Sequence, residues 1–593
     1  MDADRQSKHR VASGWGGRRI SFAGGALCAA AIAALLLAPA LLAREVTVTL
    51  LHTADVHGRV AAVNSERENK PGGGLLRCAT RIAEIRRRDA NVILVDCGDL
   101  FQGAPESFLT RNRIIVESVR QLQYDALVPG NHEFDGGVEA LDRFYEQAKI
   151  PVLAANIRSS REPALPGAGA FLCKEVDGVR VAILGLTTPL IPMWSRPHLL
   201  GDMTFEDSLS ALRRVMPLVR AQKPDILVLA AHQGWRKWGD DPANEINAIA
   251  RAFPEFDVIL GAHTHQAVEW ETVHGVAYTQ AGCYGLWLGV VRLVFDTQSR
   301  RVKSKQIQLL AVDSGVAPDK ALEDQTARSL KETKTYLDQE VGVAAVELKP
   351  VSRGRGQSAI QTLIAAAIAE RVQADVVIHR ALTEASLRAG PITMRDVWRI
   401  VPYENYIGVA HLTLDELRQI LEENSGFFKS REFRGVYGLT YELQPKAAPG
   451  KRVSNIQLTS KCRMKNAECR IDGDGKEKQA NPEGGLPTDV SGDLSGVALA
   501  KPEVLAKAGD RPAHRSPLGE NGMPTPARVR VAFNSYDMAS AGGRFPRLRA
   551  ILDQSTSCLE EYPDADTRDA VLAYIRRHQP LDVKAAPGAH VVH

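Results

Sequence analysis

The chain reads as alternating apolar and polar blocks that change character near its middle. From Glu45 to about Ser314, short runs of aliphatic and β-branched residues alternate with longer amphipathic stretches. The runs include Val46–Leu51, Val92–Val95, Ala126–Val128, Val152–Ala155, Val179–Leu184, Ile226–Ala230 and Val258–Leu260. Between them, Leu75–Arg88 carries apolar Leu75, Leu76, Ala79, Ile82 and Ile85 at helical spacing, and Ser208–Ala221 is a second amphipathic stretch. Runs bounded by Gly, Pro or Asp and joined by helical crossovers imply a layered α/β domain. Pro318–Glu340 is polar with a helical period and predicts a connector. Beyond it, helices at Ser358–Val372 and Leu414–Asn424 and strands at Ile407–Leu412, Tyr437–Leu443 and Val529–Phe533 predict a second domain ending near His578. Residues 447–527 break the pattern with Gly, Pro, Lys, Asp and Asn, the composition of an exposed insertion. Residues 579–593 read as a loose tail.

The N-terminus departs from this plan. After basic Lys8, His9, Arg10, Arg18 and Arg19, residues Ile20–Ala43 carry no charge and are mostly Ala and Leu. With Ala38-Pro39-Ala40, this predicts a secretory signal over residues 1–43. The run is also long enough for an uncleaved anchor, although Gly24, Gly25 and Pro39 weaken a permanent helix. Arg18-Arg19 is compatible with twin-arginine export, with Phe22 one place late. Either route places the body of the protein outside the cytoplasm, periplasmic or extracellular. Membrane contact is then expected only through this segment.

Composition narrows the class. With 593 residues, 44% apolar and 24% charged, the chain is globular and long enough for two domains, which excludes fibrous and wholly disordered proteins. A net charge of +4 is too small for a chain of this size to suggest a nucleic-acid scaffold. Eight cysteines are too few for a disulfide-built fold. Cys462 and Cys469 are close enough in sequence for a local bridge, and without a C-x-x-C pair no thiolate zinc site is expected.

The informative feature is where His, Asp and Asn fall. Val46–Leu51 runs into His52-Thr53-Ala54-Asp55-Val56-His57, and Val92–Val95 into Asp96-Cys97-Gly98-Asp99. Ala126–Val128 precedes Pro129-Gly130-Asn131-His132-Glu133-Phe134-Asp135. His232 follows Ile226–Ala231, and Val258–Leu260 runs into Gly261-Ala262-His263-Thr264-His265. One His after a strand is usually a hydrogen-bonded structural residue. Five strands that each deliver an O or N ligand at the carboxyl end converge on one crevice of an open α/β sheet. Imidazole with carboxylate and amide oxygen suits Zn, Mn or Fe. The ligands are too many for one tetrahedral ion, and two divalent ions sharing a carboxylate, roughly 3.5–4 Å apart, form a clamp for a phosphoryl group. Cys97 lacks a base partner and reads as packing. Trp235 and Trp238 read as rim or core, and His52 as support behind the ligands.

The ordered set Asp55-x-His57, Gly98-Asp99, Gly130-Asn131-His132-Glu133, His232 and Gly261-Ala262-His263-Thr264-His265 resembles the calcineurin-like metallophosphoesterases. Gly98-Asp99-Leu100-Phe101-Gln102-Gly103 and Gly130–Asp135 narrow this to a resemblance to the secreted 5′-nucleotidase family. That resemblance implies a four-layer α/β/β/α metallophosphoesterase sandwich over 45–314 and a helical linker over 315–340. A smaller α+β substrate-specificity domain would follow over 341–578. It implies Asp55, His57, Asp99 and His265 on one metal and Asp99, Asn131, His232 and His263 on the other, with a hydroxide bridging the ions as in-line nucleophile. His132, oriented by Asp135, would be the catalytic dyad.

In the second domain the match is uneven. Val401-Pro402-Tyr403-Glu404-Asn405, Phe433–Gly438 and Asn534-Ser535-Tyr536-Asp537 resemble the family. By that resemblance Phe433 and Phe545 would clamp a nucleobase and Arg353 would bind phosphate. The family's Asn-Gly-Gly-x-Arg loop is not legible, with Ile378-His379-Arg380-Ala381-Leu382-Thr383 near its place. The expected partner is a small phosphate ester, a nucleotide first. The alternatives are a 2′,3′-cyclic nucleotide, a UDP-sugar or a sulfate ester on a sulfur carrier. A catalytically silent binding protein is the alternative of another class.

Overall fold

The computed structural model describes residues 44–64, 71–195, 197–350, 357–403, 405–430, 432–459, 528–538, 544–554, 559–584 and 589–591. The predicted signal at 1–43, most of the 447–527 insertion, Arg353, Cys462, Cys469 and Cys558 lie outside these residues. Among the described residues no helix is long and apolar enough to cross a membrane.

Two sheets face each other in the first half. The seven-stranded sheet runs in the order Arg301–Ala311, Trp287–Asp296, Glu45–Thr53, Val92–Asp96, Ala126–Leu127, Val152–Leu153, Ala168–Gly169. The six-stranded sheet runs Ala267–Val273, Val276–Ala281, Val258–Gly261, Ile226–Ala231, Val179–Leu186, Phe171–Val176. Strand periodicity sends Val46, Val48 and Leu50 into the space between the sheets, where they meet Val181, Ile183, Val228 and Leu260. Leu51 points the other way, onto Leu75, Ile82 and Ile115 of the covering helices. Helix Ser208–Ala221 covers the second sheet through Leu212, Val215 and Val219. This is the four-layer α/β/β/α sandwich. Strands Glu45–Thr53, Val92–Asp96 and Ala126–Leu127 pair in parallel, as do Ile226–Ala231 and Val258–Gly261. Each group therefore releases its ligands from a common end.

Helix Lys320–Leu337 bridges to the second half, which is built on a five-stranded sheet. Its order is Gly435–Tyr437, Val376–His379, Val529–Asn534, Tyr406–Leu412, Leu559–Asp566. The sequence places helix starts well here because capping boxes mark them: Ser358 with Gln361 opens Ala359–Val372, and Thr413 with Glu416 opens Leu414–Ser425. Three expectations change. The tail expected over 579–593 is in part built into the domain: Leu581 is buried and exchanges backbone hydrogen bonds with Val343 and Ala345, and Ala589–Val591 pairs in parallel with Tyr441–Leu443. The single predicted strand Tyr437–Leu443 is two strands, Gly435–Tyr437 and Leu439–Leu443, broken at Gly438 with φ 90°. Part of the stretch expected as an insertion is sheet, because Val453–Leu458 pairs antiparallel with Leu439–Leu443.

His52 supports no metal ligand through a hydrogen bond. It is fully buried, neither ring nitrogen has a partner, and its ring lies over Gly289 of the adjacent strand, where a Cβ would come within 1.9 Å of Nε2. Burial pushes its pKa down to about 3. An unfolded His titrates near 6.5, so between these values the unfolded chain holds the extra proton. The stability contributed by neutral His52 is complete above pH 6.5 and is lost as pH falls toward 3. His52→Leu should therefore flatten the acid-side fall of the urea midpoint between pH 7.5 and 5, measured in chelator. An unchanged slope would contradict the assignment. Some slope should remain from buried His379, which burial lowers to about 4.

Candidate active site

Five of the seven expected metal ligands sit in left-handed backbone: Asp55 (φ 51°), His57 (51°), Asp99 (55°), His263 (70°) and His265 (56°). Non-glycine residues rarely adopt this region, and such strain collects at functional sites. It is held by neighbours. The amides of Asp55 and His57 donate to the carbonyls of Gly98 and Asp99 at 2.9 and 2.8 Å, so the first two ligand loops zip together. Two glycines permit the approach. A Cβ at Gly98 would lie 2.6 Å from His232 Nδ1, and one at Gly130 would lie 2.2 Å from Asp99 Oδ1. Buried Glu133 gathers the backbone N–H groups of Asp99 (2.9 Å), Leu100 (2.7 Å) and Gly130 (2.6 Å). It thereby fixes the second ligand loop against the third.

The structure brings the expected ligands together in two groups that share Asp99. Asp55, His57, Asp99 and His265 form one and Asp99, His232 and His263 the other, with ligand atoms within 4.8 Å of one another in each. Asn131 joins the second, its Oδ1 lying 3.1 Å from His232 Nε2. His57 Nε2 is 2.9 Å from His265 Nε2, and His232 Nε2 is 3.3 Å from Asp99 Oδ2.

Two partners orient the rings. His57 Nδ1 donates to the Gln102 carbonyl and His232 Nδ1 to the Cys97 carbonyl, at 3.1 and 2.9 Å. Each bond turns an Nε2 lone pair into the cluster, as metal ligation requires. His232 Nε2 then faces two acceptors, Asn131 Oδ1 and Asp99 Oδ2, a contact that only a proton or a cation can reconcile. Burial lowers His232, but Asp99, Asp55 and Glu133 together raise it to about 9. Burial holds His57 and His263 well below the ordinary value, with help from His265 and His232 respectively. Burial likewise brings His265 to about 4. Three neutral imidazoles, a fourth on His232 that exchanges its proton for a cation, and the carboxylates are the donor set that two divalent cations need, and the residues fit them.

His132 stands at the open edge of the cluster, its side chain 27% exposed. Its Nδ1 lies 2.7 Å from Asp135 Oδ2, and its backbone N–H donates to Asp99 Oδ1 at 2.9 Å. Burial opposes its charge, but Asp135 and Asp99 raise its pKa to about 10. With Nδ1 engaged, Nε2 is the ring atom left to act.

Other expectations separate. Cys97 packs between the sheets, its thiol pushed up by burial. Trp235 donates from Nε1 to Asn247 Oδ1 at 3.1 Å, and Trp238 is 92% exposed. Phe433 is half-buried, its ring edge-on to Phe428. Phe545 is only 1% exposed and packs on Phe533, so in this conformation its ring is core and offers no face to a base. Three aromatic neighbours were not foreseen. Trp194 stacks on His263 at 5.2 Å, and Tyr284 and Tyr403 flank His57. Trp194 closes the single-turn helix Ile191–Trp194 and Tyr284 lies in a loop, both too short for a periodic signal. Tyr403 belongs to the Pro402-Tyr403 stretch, whose role spacing cannot reveal.

Residues 48–267 match the calcineurin-like phosphoesterase family, and residues 340–472 match the 5′-nucleotidase C-terminal domain. Snake venom 5′-nucleotidase from Crotalus adamanteus is 25% identical over 466 residues, 70% of this chain and 77% of that protein. The 5′-nucleotidase of Homo sapiens is 26% identical over 465 residues, 70% of this chain and 79% of that protein. The solved 5′-nucleotidase precursor from Thermus thermophilus shares the fold with a TM-score of 0.64 at 21% identity, covering 92% of this chain and 99% of that one. A shared-carboxylate ligand cluster at the strand ends, followed by this second domain, places the chain in the 5′-nucleotidase family of calcineurin-like metallophosphoesterases, hydrolases of phosphate esters.

Proposed function

We propose that this protein is an extracytoplasmic phosphoesterase that hydrolyses small phosphate esters, 5′-nucleotides foremost. The observation that carries this reading is the pair of ligand groups joined through Asp99. Asp55, His57, Asp99 and His265 would hold one divalent ion, and Asp99, Asn131, His232 and His263 the other. Mn, Zn and Fe suit these donors. When bound, such a pair neutralises phosphoryl charge and acidifies water near neutral pH. His132 would donate its Nε2 proton to the leaving alcohol or to a phosphoryl oxygen, while Asp135 keeps the ring oriented and charged. Residues 45–314 would form the catalytic domain and 315–340 the linker, with 341–578 selecting the substrate. The uncharged run after the basic N-terminus supports export.

The buried Phe545 favours a second reading, in which the same ligands act on another ester. One panel separates them: purified protein with Mn²⁺ or Zn²⁺ against AMP, 2′,3′-cyclic AMP, UDP-glucose and bis-p-nitrophenyl phosphate. Hydrolysis, read as phosphate from AMP, a mononucleotide from the cyclic ester, UMP from UDP-glucose and p-nitrophenol from bis-p-nitrophenyl phosphate, should vanish with chelator and return with metal, with AMP turned over fastest. Faster turnover of another ester would replace the nucleotide assignment. No product from any ester under either metal would favour a silent binding protein.

A further inference from the structure

Two tyrosines from different halves of the chain meet over the ligand cluster. Tyr284 follows strand Val276–Ala281, and Tyr403 follows helix Met394–Ile400 of the second half. Their hydroxyls lie 2.6 Å apart, a hydrogen bond spanning 119 residues of sequence. The Tyr403 ring lies nearly parallel to that of His132, 17° between planes and 6.4 Å between centroids, and edge-on to His57 at 6.1 Å. Tyr284 is tied to the ligands by its backbone. Its N–H donates to the Asp55 carbonyl at 2.8 Å, and its ring flanks His57 at 5.7 Å and His265 at 5.9 Å.

The segment before Tyr403 is anchored as well. Arg568 donates from Nε to the Val401 carbonyl and from Nη2 to the Pro402 carbonyl, both at 3.0 Å. Its guanidinium carbon lies 3.3 Å from the centre of the Trp398 ring, which meets Phe108 of the first half edge-on at 5.6 Å. One buried cation thus ties the contact between the halves to the two carbonyls that precede Tyr403.

We propose that Tyr403 is a positioning residue contributed by the second domain, locked over the metal ligands by its hydrogen bond to Tyr284 and holding the His132 ring in place by stacking. The proposal rests on His132 as proton donor. In this arrangement the second domain completes the catalytic edge of the first, and the proton donor is fully ordered only while the tyrosine pair is intact.

The test uses the metal-loaded full chain with Tyr284→Phe, Tyr403→Phe and the double variant. Each Phe keeps the ring and removes one half of the bond. Each single change should lower kcat about three- to ten-fold, and the double variant should fall no further than either. Bound metal should not change, because the grouped ligands all belong to the first domain. Small-angle scattering should report a larger radius of gyration for each variant. Tyr403→Ala, which also removes the stack, should lower kcat beyond Tyr403→Phe. Multiplicative effects of the two Phe changes, or an unchanged kcat and radius, would overturn the pair as a lock. If wild type hydrolyses no ester, the functional reading falls while scattering still judges the lock.

Discussion

Asp99→Asn should cost the protein both metals and lower phosphate release by about 10³-fold or more. Among the described residues Asp99 is the one side chain in both ligand groups. Its carboxylate lies 3.3 Å from His232 Nε2 and 3.8 Å from His57 Nε2. Asparagine keeps the shape and an oxygen that can still accept from the His132 N–H, so the loops should remain folded. It removes the negative charge positioned to serve two cations. Burial acts against that charge, yet His232, His132 and His57 hold the Asp99 carboxyl well below the ordinary range. The site is therefore arranged for an anion at this position. Metal content by mass spectrometry, far-ultraviolet circular dichroism and phosphate release measured together check the prediction. Two ions retained with normal turnover would remove the shared-carboxylate assignment.

His132→Ala should lower turnover about 10²–10⁴-fold while both ions stay bound. Its ring nitrogens belong to neither ligand group, and its one strong partner is Asp135 at 2.7 Å. Loss of metal together with activity would instead make His132 a structural support of the site. Asp135→Asn offers a graded check with a definite sign. Burial lowers the His132 pKa and Asp135 leads the groups that raise it to about 10, so neutralising Asp135 lowers it. Activity that requires the His132 proton falls on the alkaline side, and in Asp135→Asn that fall should begin at lower pH. Bound cations beside Asp99 draw the wild-type limb below 10, but the direction of the variant's shift is unchanged.

Much of the first domain was legible because central strands such as Val92–Asp96, Ile226–Ala231 and Val258–Gly261 are buried on both faces and read as unbroken aliphatic runs. Helix Leu75–Arg88 and helix Ser208–Ala221 have the bounds expected from their apolar spacing. The second domain was read less well. Gly438 splits one apparent strand, and Val453–Leu458 is partly exposed, so its alternating polar residues resemble loop composition. Phe545 shows the limit for binding residues. An aromatic ring beside Gly542-Gly543 has the same spacing whether it faces a ligand or the core, and packing on Phe533 turns it inward.

The order of residues along the chain was enough to set the chemistry on offer: which residue types stand at which strand ends, and hence a cation site for phosphate esters. That is local information, because a ligand one or two positions beyond an apolar run is set by chain direction and strand period. How those groups meet is a property of the folded molecule. Left-handed backbone at five ligands, Asp99 as the shared member, the carbonyls that aim His57 and His232, and Tyr403 arriving from the other half all depend on residues far apart in sequence. Such contacts are selected by packing and hydrogen-bond closure across the whole fold, and no periodicity along the chain encodes them.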